Sequence, residues 1–197
     1  MLAVNASLPV RSLKELIALA RERPGTLNFA SSGLGSSTHM AGELFKQMTG
    51  VNIVHVPYKG NAPAISDALG GQVELVFSGV PALLPHLQNG RLRAIAIGSL
   101  RRFPAIPEVP TFDELGLKGY EATTWFGLLA PAGTPGDIIS RLSAAARKVV
   151  ASEEMKQRML GQGLEPVGNP PEQFARLIKQ EVPKWAKVVK ASGAKVD

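Results

Sequence analysis

Apolar and polar positions repeat with two different periods along this chain. Leu13, Leu16, Ile17 and Ala20 recur at helical spacing behind Ser12-Leu13-Lys14-Glu15, which has the form of a capping box, and Pro24-Gly25 ends the run. Residues 27–30 alternate as a strand and lead into Ser31-Ser32-Gly33-Leu34-Gly35-Ser36-Ser37-Thr38. Met40, Leu44, Phe45 and Met48 then form a second helical stripe. Residues 53–56 predict a strand that ends in Pro57-Tyr58-Lys59-Gly60, and a short helix follows to Leu69. A third strand over 73–77 ends at Ser78-Gly79, and Pro81 suits the first turn of the helix after it. That helix stops near Gly90, and 92–97 reads as a fourth strand. Strand and helix thus alternate from 26 to 98, which predicts a parallel sheet with right-handed crossovers and helices on both faces.

The pattern changes after Gly98. Pro104, Pro107 and Pro110 mark a linker or surface loop, and Thr111-Phe112-Asp113-Glu114 is a second capping box that predicts a short helix. From Tyr120 to Ala130 the chain is β-like, with Trp125 and Phe126 expected in a core. The remainder predicts three helices: Thr134 to about Ser152, Glu153 to Leu160, and a last one from Asn169 that should kink at Pro183.

Composition sharpens this picture in three ways. Among 197 residues, 45% are hydrophobic and 19% charged, the balance of a core-forming chain. There is no Cys, which excludes disulfide scaffolds, thiolate metal sites and thiol nucleophiles. Lys and Arg exceed Asp and Glu by 22 to 16, and the net charge of +6 favours anionic partners or simply a solvated surface. The cations are dispersed and lack an interleaved aromatic ladder, so nucleic acid is not the expected partner. No window is apolar for long enough to predict a membrane span, and the first residues do not read as a signal peptide.

The loop at 31–39 is the most informative stretch. Glycines allow a ligand close to the backbone, free amides at a helix start attract anions, and hydroxyls add hydrogen bonds. It also fits an ordinary connection with polar caps. Gly33-Leu34-Gly35 is not a dinucleotide fingerprint, because Thr38 stands where the third glycine belongs and no acidic residue closes the next strand. No cofactor is predicted. His39, His55 and His86 have no ligand spacing, so no metal site is predicted, and no G-x-S-x-G elbow supports a hydrolase. In a parallel sheet the loops at 31–39, Tyr58-Lys59 and Ser78-Gly79 share the carboxyl edge, where ligands bind.

Several ordered motifs carry a resemblance. Residues 31–45 (Ser31-Ser32-Gly33 through Glu43-Leu44-Phe45), Val56-Pro57-Tyr58-Lys59-Gly60, Leu92-Arg93-Ala94-Ile95-Ala96, Pro107-Glu108-Val109-Pro110-Thr111 and the run from Trp125 to Pro135 resemble Bug-type, TctC-like receptors. These are the extracytoplasmic solute-binding proteins of tripartite tricarboxylate transporters. The resemblance implies an α/β fold like that of type II periplasmic binding proteins, with one complete parallel-sheet lobe and a truncated second lobe. Residues 9–119 would be the complete lobe two; residues 1–8 and 120–197 would belong to an incomplete lobe one.

The resemblance further implies a periplasmic, non-enzymatic receptor for a small organic carboxylate, working with membrane transporter subunits. The ligand-binding residues it implies are Ser32, Gly33, Gly35, Ser36, Ser37, Thr38 and His39, with Tyr58, Lys59, Ser78 and Gly79 on the same rim. Ser78 stands where many members have Asp, which disfavours an amino-bearing ligand. An incomplete lobe leaves apolar faces within 137–190 to be covered, by a homo-oligomer, by repacked helices or by the missing piece supplied separately. The competing expectation is a small hydrolase or transferase that uses the Ser/His loop.

Overall fold

In the computed structural model, which describes residues 1–194, the order is β1 (Leu2–Asn5), α1 (Leu13–Glu22), β2 (Asn28–Ser31), α2 (Ser37–Thr49), β3 (Val54–Pro57), α3 (Asn61–Leu69), β4 (Leu75–Phe77), α4 (Val80–Gln88), β5 (Leu92–Ala96), α5 (Gly136–Ala151), α6 (Glu153–Gly161) and α7 (Pro171–Ser192). Two compact units are present: Met1–Thr124 with the segment from Ala186, and Trp125–Trp185.

The first unit is built on a five-stranded sheet in the order β3-β2-β4-β1-β5. β2 runs parallel to β3 and to β4. β1 is antiparallel to both of its neighbours, β4 and β5. The sheet is therefore mixed, and β2, β3, β4 and β5 still point the same way. The sequence reading assigned residues 1–8 to the other lobe, whereas Leu2, Ala3 and Val4 are fully buried in the middle of this sheet.

Strand alternation sorts the core onto two faces. Ala3, Ala30, Val76 and Leu92 meet Ala64, Ile65 and Ala68 of α3 and Leu83 of α4. On the opposite face Phe29 and Phe77 stack edge to face at 5.7 Å, and Phe45 of α2 packs on Phe77 at 6.2 Å. Gly42 of α2 sits directly on the Phe29 ring: a methyl at that position would come within 2.7 Å of Phe29 Cζ and closer still to Cε2. Tyr120 is fully buried and donates its hydroxyl proton to Ala41 O at 2.8 Å, which ties the segment after β5 to α2. Burial pushes its pKa up.

Three local expectations change. The capping box at Thr111 forms reciprocally, with Thr111 N–H donating to Glu114 Oε2 at 2.8 Å and Glu114 N–H to Thr111 Oγ1 at 3.1 Å. It closes a turn and does not start a helix. The Pro-rich loop is partly core: Ile106 and Val109 are buried against Ile97. Residues 121–130 are not a strand, and Phe126, Leu128 and Leu129 are about four-fifths exposed. β propensity yields a strand only where a ladder partner exists, and this run has none among the described residues.

The second unit comprises α5, α6 and most of α7. Trp125 meets Phe174 edge to face at 5.3 Å, and Gly127 lies against the same ring. Neither α5 nor α6 has a buried residue, and Leu142, Val149 and Val182 are exposed by half or more. Pro183 lies inside α7, which continues through it.

Replacing Gly42 with Ala tests how tightly α2 is seated. Alanine favours a helix by up to about 1 kcal/mol over glycine, yet here its methyl must displace a buried ring. A net loss of roughly 1–3 kcal/mol is expected, read as a lower urea midpoint with an unchanged slope.

Candidate functional site

The ends of β2, β3 and β4 lie side by side, because β3-β2-β4 are neighbours and parallel. Each strand is followed by a helix, so α2, α3 and α4 all begin at this edge. The backbone pins the loops together there. Tyr58 N–H donates to Ser31 O and Gly60 N–H to Ser32 O, both at 3.1 Å. Gly33 has φ +136°, and a side chain there would press to 3.1 Å on Tyr58 O.

The first amides of a helix have no carbonyl within it. In α2 the N-cap is Ser36, whose Oγ accepts from His39 N–H at 3.2 Å. The Ser36 hydroxyl also donates to Gly33 O at 2.7 Å. The Ser37 and Thr38 amides are left without an acceptor among the described residues. The caps of α3 and α4 are Gly60 and Gly79, neither with a side-chain cap. Pro63 and Pro81, in the first turns, carry no N–H at all. Three partial positive charges thus face one rim, two of them unscreened by any cap.

Hydroxyls surround the first of these helix starts. Thr38 Oγ1 accepts from Ser32 N–H at 2.9 Å and lies 2.9 Å from Ser32 Oγ and 3.0 Å from Ser36 Oγ. Ser37 Oγ is exposed and 3.2 Å from Thr124 Oγ1. Gly35 is exposed on the loop crest. Lys59 is exposed beside Tyr58, whose hydroxyl donates to Asp67 Oδ2 at 2.8 Å. Burial first, then the Asp67 carboxylate, pushes the Tyr58 phenol up to about 12. Ser78 exchanges backbone hydrogen bonds with Met1, and its buried Oγ has no partner. Gly79 is exposed after it.

His39 differs from its neighbours. Its ring is buried, Nδ1 accepts from Gly35 N–H at 3.1 Å, and Nε2 faces Glu43 Oε1 at 3.7 Å. Both ring nitrogens are thus turned toward the protein. The sequence reading missed the reason: His55 of β3 stacks on His39 with ring centroids 3.7 Å apart and planes 11° apart. His55 Nε2 in turn lies 2.6 Å from Ser31 Oγ. Alternation along β3 put His55 among core or surface positions but gave no sign of its partner across the sheet.

As a hydrolase site the arrangement is poor. The Ser31–His55 contact joins a serine that is fully buried to a histidine with no carboxylate hydrogen-bonded to it among the described residues. Among the described residues no group of three or more His, Asp or Glu is placed to hold a metal ion, and no helix is long and apolar enough to cross a membrane.

Comparisons with known proteins place the chain in a family. The family model described as "Tripartite tricarboxylate transporter family receptor" matches residues 1–194. Protein BugT of Bordetella pertussis is 40% identical over 195 residues, which cover 99% of this chain and 60% of BugT. A solved R. palustris protein with adipate superposes with TM-score 0.85 at 40% identity, over 98% of this chain and 65% of that one. The periplasmic binding protein BugD superposes with TM-score 0.81 at 33% identity, over 98% and 66%. The chain spans about 60% of BugT's length.

The stacked imidazoles, one buried and one half-buried, make stability depend on pH. Burial, then His39 and Lys46, lowers His55 from 6.5 to about 4. Between those values the unfolded chain takes up a proton that the folded chain refuses, so stability falls as pH drops through that window. A melting-temperature series from neutral pH to about 4 should show this decline, and His55→Phe should flatten it. A parallel decline in the variant would show that other groups are responsible.

Proposed function

The chain belongs to the tripartite tricarboxylate transporter receptor family, and on that premise we propose that it captures a small organic carboxylate at the rim where α2, α3 and α4 begin. The observation that carries this reading is the convergence of three helix starts, two of them closed by glycines that offer no capping side chain. A carboxylate supplies the acceptors that the Ser37 and Thr38 amides lack. Ser32, Ser36, Ser37 and Thr38 line that position, with Gly33 and Gly35 allowing close approach. Tyr58, Lys59, Ser78 and Gly79 form the adjoining rim, Lys59 adding a mobile positive charge. The relative with adipate supports a dicarboxylate as the ligand class.

No chemical step is part of this proposal. The Ser32, Ser36 and Thr38 hydroxyls are engaged with one another and with backbone, and the exposed Ser37 hydroxyl meets Thr124 Oγ1. We read the protein as a receptor acting outside the cytoplasmic membrane and delivering its ligand to membrane transporter subunits. The family description and the periplasmic relative BugD support that placement.

Ser37→Pro is the sharpest test. Proline suits the first helical position, and Ser36 already has the extended backbone that a following proline requires, at φ −66° and ψ 161°. The change therefore removes the Ser37 amide donor together with its hydroxyl and keeps the helix; Ser37→Ala, which removes the hydroxyl alone, isolates the amide. Calorimetry should show saturable adipate binding to the parent chain and an affinity lower by about tenfold or more in the proline variant, the loss of one charge-assisted hydrogen bond. Equal affinity in the two proteins would remove α2 from the site. Failure of adipate, succinate and malate alike to raise the melting temperature would overturn the carboxylate reading.

A further inference from the structure

Two imidazoles grip the anion loop from below, one at each glycine. His39 Nδ1 accepts the Gly35 N–H directly. His55 Nε2 meets Ser31 Oγ, and that same oxygen accepts Gly33 N–H at 3.2 Å and lies 3.2 Å from Gly33 O. Gly33 and Gly35 are the two left-handed residues of the loop, at φ +136° and +72°. They set the direction in which Ser36, Ser37 and Thr38 leave it. The rings themselves are fixed by their mutual stack and by Phe29, whose centroid lies 4.9 Å from His55 and 6.4 Å from His39.

We infer that His39, as a neutral imidazole stacked on His55, is a positioning residue for the carboxylate loop, and that its protonation releases the Gly35 amide and weakens ligand binding. This rests on the carboxylate reading above. The chemistry is a clash of donors. The acceptor role of Nδ1 places the proton of neutral His39 on Nε2, toward Glu43. A second proton lands on Nδ1 and faces Gly35 N–H, so the hydrogen bond cannot persist. The charged and titratable groups around the pair are Glu43 and Lys46 of α2 and His55 of β3; β2 contributes the uncharged Phe29 and Ser31. Glu43 favours a proton on His39, but its Oε1 is held by Lys46 Nζ at 2.8 Å. Burial outweighs Glu43, and the ring titrates below its ordinary range.

Nitrogen-resolved NMR on the full chain, with adipate calorimetry beside it, separates the parts. His39→Asn places Oδ1 where Nδ1 stands and cannot titrate; His39→Leu removes the acceptor. The imidazole spectrum should show His39 as the Nε2–H tautomer. The Gly35 amide resonance should move with the His39 titration in the parent chain and stay still in H39N. Across the His39 titration followed in that spectrum, adipate affinity should fall about tenfold more in the parent than in H39N. At neutral pH H39L should bind more weakly than H39N. An Nδ1–H tautomer, a Gly35 amide indifferent to the titration, or equal pH profiles in parent and H39N would overturn the inference. If adipate binds at no pH, the carboxylate reading fails, and the Gly35 resonance alone decides the coupling. Should H39L not fold, H39N carries the test.

Discussion

A helix cannot satisfy its own first amides, and this chain places three such deficits along one sheet edge. That constraint follows from direction alone. β2, β3 and β4 are parallel neighbours, so the helices that leave them must start together. The free donors are thus oriented by the sheet, which under the proposed reading spares the cost of ordering them around an anion. Side-chain cations are a minor part of the arrangement: Lys59 stands at its margin, and the rest of the rim is hydroxyl and backbone. Under the carboxylate reading proposed here, such a rim would recognise charge through fixed dipoles.

Rigidity beneath the loop comes from the opposite face of the sheet. α2 is held close to β2 because Gly42 leaves room for the Phe29 ring. Tyr120 anchors the same helix through Ala41 O. The two histidines occupy the space between that packing and the loop. One ring nitrogen of each is spent on the loop, His39 Nδ1 on Gly35 and His55 Nε2 on Ser31, so the loop rests on hydrogen bonds to a buried and a half-buried ring.

Much of this was legible in the chain, and the failures have physical causes. Caps and punctuation located helices: Ser12 and Pro81 act where local rules place them. The shared carboxyl edge followed from alternation of strand and helix. The position of β1 did not, because strand order among distant segments leaves no trace in local periodicity. The histidine stack was hidden for the same reason: it depends on the Phe29–His55 register and on the seat of α2. Residues 121–130 misled in the other direction, since their composition suits a sheet that the described chain does not offer them. Ile106 and Val109 show that prolines mark a loop without marking it as surface.

The central place of β1 also bears on how the sheet assembles. Leu2 pairs with Phe77 and Ala96, so the strand nearest the amino terminus is seated by segments lying far along the chain. Its contact order is high, and closing so long a loop delays pairing relative to the neighbouring β2–β3 unit. During synthesis this apolar strand would wait, solvent-facing, until β5 had left the ribosome. Early occupancy of that gap by a foreign strand is the misfolding hazard this topology carries.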